Sequence, residues 1–293
     1  MVALIPELVP SSRLLAANST TSSARQISSI LAELLGGVLY VALGLKALLL
    51  FDAASYLVAV ASTGLMMSRY RRIVAPASGV QASSRKSLRG VIDVSLEGFR
   101  YIRGQPGLLL LATSMTLINV FYSPVVVVIP FLVADTYGLP GAWYGYVSGC
   151  ISIGIFLGSL FPRFLATKGR YHVLMPAALA MICGVFLAMS INRNAEVLLA
   201  LFVMLGAQVG LFNLLYTTVI QERVPSEFHG RMWSVTFSIG FLAGPLAKGA
   251  AGYLIDILHH QSHLLLVFLA CGIAASTMAI YTRDSMKNFL RGT

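Results

Sequence analysis

Long apolar runs constrain this chain more than any other feature. A membrane-spanning helix needs about 20 predominantly apolar residues. Eight segments meet that length, at roughly 27–45, 47–67, 107–134, 142–165, 172–191, 196–219, 232–257 and 263–281. Inside lipid the backbone must satisfy its own hydrogen bonds, so each run is expected to be helix. Ser28, Ser29 and Glu33 make the first the most interrupted. Little more than Gly44, Leu45 and Lys46 separates it from the second, which predicts a tight helical hairpin. Charge agrees: 11% of residues are charged and 57% hydrophobic, against about 25% charged in a soluble protein. The expected fold class is an all-α polytopic membrane protein with about eight transmembrane helices.

The long polar segment, 68–106, divides the chain. Its first part is rich in Arg, Ser and Ala. Its second places Val91, Ile92, Leu96, Phe99 and Ile102 near one helical face and Arg89, Arg100 and Arg103 near the other. That pattern predicts an amphipathic helix lying in the membrane surface, ended by Gly104, Gln105 and Pro106. The expected organisation is 1–67, two helices; 68–106, linker; 107–283, six helices; and 284–293, tail. Alternating the loops between two sides puts 18 of the 21 Lys and Arg on one, Arg13 and Arg25 among them. Lys46 and Arg193 fall on the other, and Lys248 lies inside a span. The positive-inside rule then makes both termini, the linker and the tail cytoplasmic. It also accounts for the net charge of +10 without a nucleic-acid partner.

An internal repeat follows. Ile5, Glu7, Val9, Pro10 and Ser11 recur as Ile220, Glu222, Val224, Pro225 and Ser226, and Ser19 recurs as Ser234, all at an offset of 215. Each copy runs into an apolar span. Internal repeats in a helical membrane protein point to transporters built from related halves. In such a chain, further spans are expected ahead of residue 1.

The segment 3–10, with Leu15, Ala17 and Asn18, resembles the loop between helices four and five of major facilitator superfamily exporters. The branch is the one containing enterobactin and macrolide efflux permeases. Phe51 to Tyr56 is similar to that branch's start of helix six. Gln221 to Pro225, with Gly230 and Arg231, is similar to its loop between helices ten and eleven. Gly158, Pro162, Arg163, Lys168, Gly169 and Arg170 resemble the second-half copy of the superfamily's basic gating loop. The resemblance implies a partial major-facilitator fold, helices five to twelve. The branch's usual Gly-Pro in helix five is Ala32-Glu33 here, and His229 stands where Arg is favoured.

Ionisable residues inside a membrane are functional candidates because they are costly there. Glu33 is a proton-coupling candidate, since burial raises a carboxyl pKa toward neutrality; an acid at a wet helix end is the bland reading. Lys248, opposite Glu33 in the repeat, is a second coupling or anion-binding candidate, with snorkelling as its alternative. Asn119, Tyr122, Gln208 and Asn213 are substrate-cavity candidates or interhelical hydrogen-bonders. Arg163, Arg170, Glu222, Arg223, Glu227 and Arg231 form a candidate cytoplasmic gate or latch. Gly240, Gly244, Pro245 and Gly249 are candidates for close helix packing or a hinge. Pro124 and Pro130 are expected to kink the third span. His259, His260 and His263 resemble a metal cluster, but a satisfied loop is the simpler reading and no metal is expected. Cys150, Cys183 and Cys271 read as small apolar residues. No catalytic motif is present, so an enzyme is not expected and no cofactor is called for.

The expected function is a secondary exporter of a small amphipathic molecule (a drug, macrolide or siderophore) at the bacterial inner membrane. Proton antiport and alternating access would drive it, with lipid, substrate and protons as partners. The alternative is a truncated, non-transporting remnant, or a membrane subunit requiring a partner that supplies the missing helices.

Overall fold

The computed structural model describes residues 14–73, 99–140, 142–163, 169–258 and 261–292. Among them there is no strand. The chain forms two compact units: residues 29–91, and residues 1–28 together with 92–293.

Helix α1 (Leu14–Ile73) passes from one unit into the other and is helical except at Gly44, with φ 73° and ψ 168°. A Cβ would be strained there, and glycine has none. The break falls where the hairpin turn is expected. Within the unit 29–91, Leu49–Leu65 is an apolar helical stretch. Its Leu50, Phe51, Leu57 and Val60 are exposed, as lipid-facing residues are.

In the larger unit, α2 (Pro106–Tyr122) starts with Pro106 at its first turn, where a missing N–H costs nothing. Ser123 and Pro124 interrupt it before α3 (Val125–Phe131), and a π-turn (Leu132–Thr136) follows. The expected kink therefore sits at Pro124. Next come α4 (Ala142–Leu160), a 3-10 turn (Phe161–Arg163), α5 (Tyr171–Ile191), α6 (Ala195–Arg223), α7 (Ser226–Ile257), α8 (Ser262–Tyr281) and α9 (Asp284–Arg291). The fourth expected span thus ends at Leu160 rather than 165. Asn194 caps α6, its side chain accepting from the Glu196 N–H at 2.8 Å and the Val197 N–H at 3.1 Å.

Five stretches among the described residues are long and apolar enough to cross a membrane: Pro106–Thr136, Trp143–Leu160, Tyr171–Ile191, Ala195–Arg223 and Ser262–Tyr281. They match five of the eight expected spans. The other three, 27–45, 47–67 and 232–257, lie within α1 and α7. Of the expected surface helix only 99–104 is described. Ile102 is buried and Arg100 and Arg103 are exposed as expected, but Phe99 is exposed too. Tyr101 stacks on Phe228 of α7, with ring centroids 3.9 Å apart.

α4 packs along α6, α5 lies against α6 and α8, and α2 lies against α7 and α8. Leu111, Phe186, Phe202, Leu205, Leu215 and Ile273 are among the side chains of the shared core. The α4–α6 contact is backbone against backbone. A Cβ on Gly154 would overlap the Val203 carbonyl, and one on Gly158 the Ala207 carbonyl. Reciprocally, Cβ atoms on Gly206 and Gly210 would overlap the carbonyls of Ile151 and Ile155. Both helices carry glycines four apart on the touching face, the arrangement that lets membrane helices approach closely where lipid removes any hydrophobic drive.

This close packing was expected of Gly240, Gly244 and Gly249 instead. A Cβ at Gly244 or Gly249 would meet nothing within 4 Å. Gly244 is nonetheless buried, and its carbonyl accepts from Ser123 Oγ at 3.4 Å. Gly240 lies outside the residues whose surroundings are described, and Pro245 is an exposed position inside α7.

Candidate functional site

The first 15 residues of α1 dock on α4 and α6 through small polar side chains. The Asn18 amide N–H donates to Gln221 Oε1 and, at 3.3 Å, to Thr218 Oγ1. Thr218 gives its own proton to the Leu214 carbonyl at 2.9 Å, so it accepts from Asn18. Ser19 Oγ donates to the Ser159 carbonyl of α4 at 2.5 Å. Ser23 Oγ lies 3.4 Å from Ser159 Oγ. Since Ser159 already donates to the Phe156 carbonyl at 2.8 Å, Ser23 is the donor. Asn18, Ser19, Ser23, Thr218 and Gln221 are all buried. This polar seam sits near Arg163 and Arg223, at the basic end of the bundle.

One turn further along α1 the seam opens into a cleft of about 100 Å³. Asn18, Thr21, Ser22 and Arg25 of α1 wall it on one side, with Asn213 and Thr217 of α6 on the other. Arg25 was expected in the loop before the first span. It lies inside α1 instead, because the helix begins at Leu14. A second, apolar cavity of about 350 Å³ lies among α4, α5 and α6, lined by Leu157, Leu174, Met181 and Leu211. Gln208 reaches it, and its buried Oε1 has no hydrogen-bond partner among the described residues.

The four cavity candidates are therefore not brought together. Asn213 lines the polar cleft and Gln208 the apolar cavity. Asn119 spends its amide on the Met115 carbonyl of its own helix, at 2.8 Å. Tyr122, also on α2, is half-buried. Glu33 is a helical position of α1 whose side chain lies outside what is described, and Lys248 is exposed on α7.

The latch candidates are also dispersed. Glu222 accepts a hydrogen bond from Tyr171 Oη at 3.2 Å. Arg223 packs against Gly292, with its buried Nε unpartnered among the described residues. Arg170 is exposed before α5. The side chains of Arg163, Glu227 and Arg231 lie outside what is described. The buried His229 closes the α6–α7 connection, its Nε2 2.8 Å from the Val224 carbonyl. His259 and His260 lie outside the described residues, and no group of three metal-ligating side chains occurs among the described ones. Cys150, Cys183 and Cys271 are free thiols.

Opposite the basic end, Tyr137 Oη donates to the Asn192 carbonyl at 3.0 Å and accepts from the Asn192 amide at 2.9 Å. Burial pushes the Tyr137 hydroxyl pKa up, with the Asn192 hydrogen bond and the nearby Arg193 charge pulling against it. This clasp ties the end of the α2–α3 span to the end of α5.

Sequence reasoning missed the seam, although a signal for it exists. Ser19, Thr21 and Ser23 recur at the same offset of 215 as Ser234, Thr236 and Ser238. The repeat thus extends into the helices, and it marks the docking face of α1.

Long apolar helices, two of them locked by glycines, and a polar seam across the repeat define a polytopic α-helical membrane protein. The chain belongs to the Major Facilitator Superfamily, whose family model matches residues 1–248. An uncharacterised MFS-type transporter of Sinorhizobium fredii is 26% identical over 95% of this chain and 65% of its own length. Macrolide efflux protein A of Streptococcus pyogenes is 24% identical over 83% of this chain and 58% of its own. The enterobactin exporter EntS of Escherichia coli is 28% identical over 86% and 58%. The chain thus spans about three fifths of the length of these relatives. No solved structure matches it.

Proposed function

We propose that the chain serves a secondary exporter of a small amphipathic molecule at the bacterial inner membrane. Alternating access moves the substrate and an inward flow of protons drives it. The observation that carries this reading is the seam of Asn18, Ser19 and Ser23 against α4 and α6. It joins an element of one repeat to elements of the other with a few hydrogen bonds, each worth about 1 kcal/mol net. Such a joint separates far more readily than the interlocked glycines of α4 and α6. By the positive-inside rule the basic end is cytoplasmic. A closed seam there shuts the cytoplasmic entrance, and an opened seam admits substrate. The names of two relatives support export as the direction, a macrolide and enterobactin being their cargoes. Glu33 is the coupling carboxylate in this reading.

The test is a Ser23→Cys/Ser159→Cys double variant, expressed in cells stripped of their own exporters. Accumulation of a macrolide and of enterobactin is measured. Oxidation is expected to abolish efflux and a reductant to restore it. Undiminished efflux with the cross-link formed would sink the gating role. No efflux from the uncross-linked parent would instead favour a subunit that transports only with further helices.

A further inference from the structure

We propose that the cleft beside Arg25 binds the anionic head group of the transported amphiphile; this deepens the exporter reading and rests on it. Arg25 follows the start of α1 by eleven residues, and Asn213 precedes the end of α6 by ten. At 1.5 Å per residue the cleft lies about 15 Å from the basic end by either helix. Asn213 is thereby four residues, about 6 Å, from the midpoint of α6, which is longer than a hydrocarbon layer of about 30 Å requires. Transporters of repeated halves hold substrate at this depth.

Arg25 and Asn213 are both exposed along the cleft, and a guanidinium at this depth is costly unless it is paired. Among the described residues no carboxylate lines this cleft. Arg25 makes no hydrogen bond or ion pair with another described residue. The hydroxyls flanking it are committed elsewhere: Thr21 donates to the Ala17 carbonyl at 3.0 Å, and Thr217 to the Asn213 carbonyl at 2.9 Å. The Asn18 amide is held by Thr218 and Gln221. The donors left facing the space are the Arg25 fork, the Ser22 hydroxyl and the Asn213 amide. Three donors around one uncompensated positive charge suit a carboxylate, sulfonate or phosphate oxygen set. Guanidinium recognises such planar or tripod oxyanions through paired N–H groups.

Size points the same way. A drug-sized ligand fills about 300–1,000 Å³, whereas this cleft holds about 100 Å³. It takes a head group and leaves the apolar body outside, toward lipid or the seam. The site therefore selects anionic amphiphiles over cationic ones.

An anionic lipid offers the same oxyanion chemistry, so the experiment separates the two sources. The chain is placed in nanodiscs of phosphatidylcholine, with or without phosphatidylglycerol. Binding of radiolabelled pyrenebutyrate and of pyrenebutanol, its uncharged analogue, is measured. The acid is expected to bind at least about tenfold tighter, the scale of a charge-assisted hydrogen bond. Arg25→Gln should remove that advantage, Arg25→Lys should retain most of it, and Arg283→Gln, on an exposed site, should leave it intact. The advantage should persist in phosphatidylglycerol. Equal binding of acid and alcohol, or an advantage surviving Arg25→Gln, overturns the subsite. An advantage erased by phosphatidylglycerol overturns substrate as its occupant. The cross-link assay on the Ser23→Cys/Ser159→Cys variant reads the exporter function separately, so either reading can fail while the other stands.

Discussion

Gly158 of α4 lies directly against the carbonyl of Ala207 on α6, with no room for a single added carbon. The contact is one of four that press the two helix backbones together. Gly158→Leu is expected to wedge them apart at a cost of about 1–3 kcal/mol or more. Thermal unfolding followed by size-exclusion chromatography checks this. Gly249→Leu, at a position with nothing within 4 Å, should melt like the parent. Equal melting of the two variants would remove the claim that the glycines hold the pair.

Asn18 donates to two residues of α6 at once, so its loss is expected to cost more than one average hydrogen bond. Asn18→Ala should destabilise by about 1–3 kcal/mol, the penalty of buried acceptors losing their donor. Combined with Gln221→Ala, the total should fall short of the sum of the two single variants, as for residues in contact. A double-mutant cycle on unfolding midpoints measures this. Strict additivity would mean that the contact contributes nothing.

The Tyr137–Asn192 clasp carries a pH signature. Its hydroxyl pKa is raised in the folded chain above the ordinary value of 10.0. A raised folded-state pKa gives stability that is full below the unfolded value and lost as pH rises through the folded one. The melting difference between the parent and Tyr137→Phe should therefore be constant from pH 6 to about 9 and shrink above about 10. A difference that grows with alkali would reverse the assignment.

Glu33→Gln is expected to abolish pH-dependent efflux while leaving membrane insertion unchanged. Fluorescence of a C-terminal reporter confirms insertion, and efflux measured between pH 6 and 8 reads the coupling. Unaltered pH dependence in that variant would assign coupling elsewhere.

The apolar runs made the helices and most of their limits legible, because a bilayer dictates their length. Gly44 and Pro124 marked the two breaks for a local reason, backbone freedom at one and a missing N–H at the other. Position along a helix was less legible. Arg25 read as a loop residue because it precedes the apolar run, yet α1 starts eleven residues earlier, on a stretch whose Asn18, Ser19 and Ser23 dock on the bundle. Packing glycines were sought in α7, where they are frequent, and the four-spaced pairs of α4 and α6, which touch backbone, were passed over. Spacing alone carries no information about which helix lies opposite. The azimuth separating Gln208 from Asn213, five residues apart on α6, likewise sends them into different cavities.

The two kinds of joint also differ in how freely a lineage can alter them. At Gly154, Gly158, Gly206 and Gly210 any larger side chain strikes backbone, so drift there is closed. At Asn18, Ser19, Ser23, Thr218 and Gln221 several small polar residues would serve, each giving a contact of different strength. Sequence change should accordingly collect in the second group, and divergent descendants should keep the first.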